Sequence, residues 1–256
     1  MRLKASTAKE YRGNLRRLIL PALGRLAVPG ITRADVAKFH HDLRHIPYQA
    51  NRCLKMVSKL FVLAEMWGLR PDGSNPRKHI RKYPEEKRER FLSAAELRQI
   101  GEVLREMESE RVELPSAILA ARLLILTGCR LGEIMTLKWH YVDFDESVLR
   151  LPDSKTGKKV VHLGAPAVEY LHDAQRTDGN PWVITGTLAG KPLSDLQPFW
   201  QRVRARAGVK DVRIHDLRHT FASTAVAAGQ GLPMIGKLFG HTLRTAVQKS
   251  ATVAAG

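Results

Sequence analysis

Acidic residues are scarce in this chain: 25 Asp and Glu stand against 42 Lys and Arg, a formal net charge of +17. That surplus argues against a cationic partner and predicts a polyanion, bound largely through its phosphates. Charge by itself fits a merely basic protein equally well. Cysteine is rarer still. Cys53 and Cys129 lie in apolar, helix-type surroundings without paired or metal-type spacing, which argues against a disulfide scaffold and a cysteine metal centre. They read as reduced core residues of a cytosolic protein. Long apolar runs are missing too. The longest, Ala117 to Leu126, is broken by Arg122, so neither a signal peptide nor a membrane span is expected. Tyrosine is confined to positions 11, 48, 83, 141 and 170, and none follows Tyr170.

What is present reads as helix for the most part. Ser6 or Thr7 can cap a helix through Tyr11, Leu15, Leu18 and Ile19 that stops at Pro21. Thr32 and Asp35 carry a capping-box pattern before Val36, Phe39 and Leu43, and a longer helix after Pro47 holds Leu54, Val57, Leu60, Phe61 and Ala64 at helical spacing. Pro71 to Pro76 is a loop. Residues 1–75 therefore predict a small, basic, all-helical domain. Residues 76–90 predict a basic linker, holding Arg77, Lys78, Arg81 and Lys82. It reads as a solvated face and equally as a tether that tracks a phosphate backbone.

From residue 91 to 256 a second domain is expected. Ser93 and Glu96 form a capping box. Pro115 to Thr127 is the most apolar helix, and short β-type runs at 148–151 and 160–163 flank a hairpin around Lys155. A brief strand is expected at 182–184, with helices at 166–174 and 194–207, the latter carrying Arg202, Arg204 and Arg206 as candidate nucleic-acid contacts. The fold class is mainly α with a small β-sheet.

Two stretches carry chemistry. Arg130 stands in TGCRLGEI between an apolar helix and the start of a new one, and helix starts favour phosphate. His215 and Arg218 stand three apart in HDLRHTFAS, on one face of a helix, and His241 follows in FGH. Arginine's planar fork binds two oxygens and stays charged, which suits the non-bridging oxygens of a phosphodiester. Taken singly, Arg130 also reads as a surface partner of Glu133, and His215 as a satisfied core histidine.

The order TGCRLGEI, SKTGK, HDLRHTFAS, FGH resembles the tyrosine recombinases of the phage-integrase type, and the likeness extends over nearly the whole chain. It implies a helical core-binding domain that clamps DNA, followed by a mixed α/β catalytic domain. It also implies duplex DNA carrying a specific site as partner, a homotetramer on paired sites in intact relatives, no metal or other cofactor, and a bacterial or phage-encoded cytoplasmic protein. By the same resemblance Arg130 and Arg218 hold the scissile phosphate, His215 is the general acid/base, His241 donates to a phosphate oxygen, and Lys155 protonates the leaving 5′-oxygen. A type IB topoisomerase shares much of this pocket, but the short helical N-terminal domain favours an integrase. One position departs from the pattern. The family's nucleophilic Tyr would fall nine residues after His241, where this chain has Ser250, in a C-terminal segment that reads as altered or incomplete. Two readings follow: a DNA strand transferase by ancestry, or a DNA-binding protein that does not cut.

Overall fold

In a computed structural model, residues 5–86, 90–154 and 157–227 are described, which leaves Lys155, His241 and Ser250 outside them. The chain forms two compact units, Met1–Arg88 and Glu89–Gly256.

The first unit is helical among its described residues. Helix α1 (Ala5–Asn14) runs into a wide π turn (Leu15–Ile19) and α2 (Leu20–Leu23), and then come α3 (Arg33–Asp42) and α4 (Pro47–Met66). The expected stop at Pro21 does not occur. The Leu20 N–H donates back to the Leu15 carbonyl, and Pro21 falls in the first turn of α2, where a missing N–H breaks no bond. Thr32 and Asp35 make the expected capping box at α3. Ile19, Leu23, Val36, Phe39, Leu54, Val57 and Phe61 close the core.

The basic stretch that follows is not a free tether. Ile80 packs on that core. The buried Asn51 amide donates to the Tyr83 carbonyl at 2.9 Å and accepts from the Tyr83 N–H at 3.0 Å. The Tyr83 ring stacks on His40 with centroids 4.3 Å apart, and the Tyr48 hydroxyl donates to the Glu86 carbonyl at 2.8 Å. A buried amide needs both ends satisfied, and the linker backbone satisfies them. The first unit therefore extends through residue 86, beyond the expected boundary at 75.

The second unit is built on α6 (Pro115–Thr127), whose buried side chains point in nearly every direction. Around it stand α5 (Ala94–Ser109), α7 (Leu131–Met135), α8 (Ala165–His172) and α10 (Ile214–Ala227), with α9 (Gln197–Arg206) against α5. Ser93 and Glu96 cap α5 as expected. Arg122, the charge inside the apolar helix, is neutralised by Glu108 through two 2.7 Å bonds and lies over the Tyr170 ring at 4.3 Å. Strands β1 (Val142–Asp143), β2 (Val148–Ser154) and β3 (Gly157–His162) form one antiparallel sheet in that order, with Leu149 paired to Val161 and Leu151 to Lys159. The strand expected at 182–184 is reduced to bridges between Lys138 and Trp182 and between Thr185 and Pro192. Helix α9 starts three residues later than expected, because the Asp195 carboxylate takes the Gln197 N–H at 2.9 Å and fixes the turn there.

Candidate phosphate-binding site

Helix α6 ends at Gly128, which turns left-handed (φ +58°) and donates its N–H to the Leu124 carbonyl. The turn is followed by buried Cys129 and then by Arg130, whose backbone leads into α7. The Arg130 N–H and Nη1 both donate to the Glu133 carboxylate, at 2.9 and 2.8 Å. Glu133 is itself buried and receives a third bond, from Lys159 Nζ on β3 at 3.1 Å. Burial pushes the Glu133 carboxyl up, but the Arg130 N–H and the Lys159 charge outweigh it and hold the group below the usual range.

Arg218 reaches the same place from α10. It is only 5 % exposed, and its Nη1 donates to the Gly128 carbonyl at 2.6 Å. Burial, and next the nearby positive charge of Arg130, bring its pKa down to about 10. The guanidinium is still charged at neutral pH. Two arginines from distant parts of the chain thus converge, and the charge of Arg130 makes it harder for Arg218 to stay charged. An anion placed beside both would relieve that repulsion.

His215 lies one turn before Arg218 on α10 and is exposed, its ring edge-on to His219 at 4.8 Å. His219 in turn meets the Phe91 ring at 6.5 Å, a supporting contact for His215. Lys155 and His241, the other two expected members, lie outside the described residues, as does Ser250.

The remaining basic residues divide. Arg77 and Lys82 line a shallow hollow of the first unit together with Lys55, Ser58, Lys59 and Val62. Lys78 is bonded to the Gly73 carbonyl at 2.7 Å, and Arg81 is exposed. By contrast, Arg202, Arg204 and Arg206 do internal work. Arg202 forks onto Glu113, Arg206 onto Glu110 with a further contact to Glu106, and Arg204 donates to the Lys210 and Val212 carbonyls at 3.1 Å. The carboxylates of α5 and of the turn after it hold α9 in place and take up that charge, which the spacing of the three arginines along one helix did not reveal.

The sequence model of the phage integrase family matches residues 90–254. The chain belongs to that family. The match spans every element of the site and also the segment around Ser250. Among curated proteins it is similar to prophage integrase IntZ of Escherichia coli K12, 27 % identical over 235 residues that make up 89 % of this chain and 57 % of the relative. A shufflon-specific DNA recombinase of Escherichia coli is 27 % identical over 73 % of this chain and 46 % of its own length. The chain thus spans about half the length of the curated relatives it matches. Among solved structures, a lambda integrase fragment (residues 75–356) captured as a dimer on a COC′ core site superposes with a TM-score of 0.78 at 22 % identity, covering 96 % of this chain and 88 % of that one. That likeness shows the fold. Among the described residues no helix is long and apolar enough to cross a membrane.

Proposed function

We propose that this integrase-family protein binds duplex DNA and seats one backbone phosphate between Arg130 and Arg218, with His215 at its edge. The observation that carries this is the convergence of two arginines on the Gly128 turn, one of them buried. Burying a guanidinium beside a second one is costly, a cost that the Glu133 carboxylate offsets and that a bound phosphate would offset further. The lambda integrase dimer held on a core site supports the same ligand for this architecture. By family resemblance Lys155 and His241 complete the pocket, and intact relatives exchange strands as tetramers through a phosphotyrosyl intermediate. The first unit adds a second contact to the DNA backbone through the hollow lined by Lys55, Lys59, Arg77 and Lys82.

Strand exchange by this chain is a separate matter. The position nine residues after His241 holds Ser250, and no Tyr follows Tyr170. Three of the five upstream tyrosines make other contacts: Tyr83 stacks on His40, Tyr48 is bonded to Glu86, and Tyr170 lies under Arg122. The reading is therefore a DNA-binding integrase that grips the scissile phosphate without forming the phosphotyrosyl bond. Anisotropy titrations with duplex DNA test the binding. Affinity is expected to fall steeply with salt, and Lys55→Glu with Lys59→Glu to lower the slope by about two contacts. A salt-independent affinity, or none, rejects it.

A further inference from the structure

Next to the Arg130 turn lies a buried cation with no part in holding the phosphate, Lys159. Strand β3 alternates outward and inward, so that Lys159 shares the inward face with Val161. A lysine at a core position of a strand is unexpected, and its side chain is only 4 % exposed, against 6 % for its partner Glu133. Such an ion pair is a poor device for stability, since apolar residues of the same volume serve as well or better. Its placement says more. Among the described residues, the charged and titratable groups that face Glu133 are Arg130 from its own helix start, Lys159 from β3, Arg218 from α10, and Cys129.

We propose that Lys159 is a positioning residue of the phosphate pocket: its ammonium neutralises the Glu133 carboxylate, so that Glu133 can orient Arg130 without cancelling the attraction of the pocket for a phosphate. The inference rests on the phosphate reading above. Glu133 holds Arg130 by two bonds, one from its backbone N–H and one from its guanidinium, but places a negative charge beside the proposed phosphate. Left alone, that carboxylate would repel the ligand in a region where water screens little. Lys159 meets the carboxylate through the same oxygen that takes the Arg130 N–H. Among the described residues, Arg130, Arg218 and Lys159 against Glu133 give three positive charges and one negative, and removal of Lys159 halves that surplus. The same bond ties β3 to the Arg130 turn.

The test compares full-length wild type with Arg130→Ala, Lys159→Met, Lys159→Arg and the double variant Lys159→Met with Glu133→Gln, in anisotropy titrations of a short labelled duplex across a salt series. Circular dichroism establishes that each variant is folded. Lys159→Met is expected to weaken binding about tenfold and to lower the salt slope by about one. Lys159→Arg should keep most of the affinity. The double variant, which removes both charges, should recover most of what Lys159→Met loses. A lysine that serves only as a structural tether gives the opposite result, with the double variant as weak as the single. Wild-type affinity for Lys159→Met also overturns the inference. If Lys159→Met does not fold, the double variant decides alone: near-wild-type binding supports the role, and a tenfold loss removes it. Unchanged binding by Arg130→Ala would instead reject the phosphate pocket itself.

Discussion

Arg218 donates to the carbonyl of Gly128 at 2.6 Å, across ninety positions of sequence. That bond joins the C-terminus of α6 to α10 and brings the two arginine-bearing segments to one point. It works only because Gly128 is a glycine. Its φ is +58°, and a Cβ there would lie 2.5 Å from Cδ1 of Phe221.

Gly128→Ala is accordingly expected to destabilise the second unit by at least about 2 kcal/mol, from the left-handed backbone and the displaced Phe221 ring together. Urea unfolding gives the number. The variant should also lose DNA affinity, because the carbonyl that orients Arg218 moves with the turn. A change below about 0.5 kcal/mol would mean that the α6–α10 contact yields more easily than its geometry implies.

Replacing Arg130 or Arg218 with Ala should weaken DNA binding more than replacing Lys191, an exposed lysine of the second unit. A positioned, charge-assisted contact is worth on the order of 1.5–3 kcal/mol, and a scattered surface charge well under 1. Titrations at one salt concentration compare the three directly. Equal small losses would show that the arginines do not share a phosphate.

The capping box of α5 yields a pH prediction. The bond from Arg90, then the Ser93 N–H, hold the Glu96 carboxyl at a pKa of about 2, well below its usual 4.5. A carboxyl depressed in the folded state stabilises fully above its unfolded pKa, and that contribution disappears as pH falls from about 4.5 toward 2. The stability gap between wild type and Glu96→Gln should therefore be widest near neutral pH and close across that acid window. A gap that stays constant with pH would remove Glu96 from the account.

Much of this architecture is legible from the residues. Capping boxes at Thr32 and Ser93 mark helix starts through local bonds alone, and the apolar run of α6 announces the core. Arg130, His215 and Arg218 each lie in a motif with its own spacing, and the structure brings Arg130 and Arg218 to the Gly128 turn. What stayed hidden depends on contacts between distant segments. Asn51 draws Tyr83 and the basic stretch onto the first unit, and Glu113 and Glu110 take up Arg202 and Arg206. Lys159 gives a faint local signal, its shared parity with Val161, but the residue that neutralises it is 26 positions away.

The last expectation concerns Ser250. A pocket that stabilises negative charge on a phosphate accelerates attack by a nucleophile already in line; it does not supply one. A serine hydroxyl is a far poorer nucleophile than a phenol unless a base activates it, and the family's pocket is shaped to receive a phenol. With a nicked suicide duplex bearing a site that the protein binds, this chain should therefore give no SDS-resistant protein–DNA adduct. Ser250→Tyr alone should restore little, since an error of an ångström in the attacking atom is costly. Exchange of the whole segment after His241 for that of an intact relative should restore adduct formation, provided that Arg130, Lys155, His215, Arg218 and His241 are competent. Gel mobility in SDS with peptide mapping reads all three. An adduct from the unaltered chain, mapped to Ser250 or to one of the five tyrosines, would show that the protein cuts DNA by a route that the pocket geometry does not foresee.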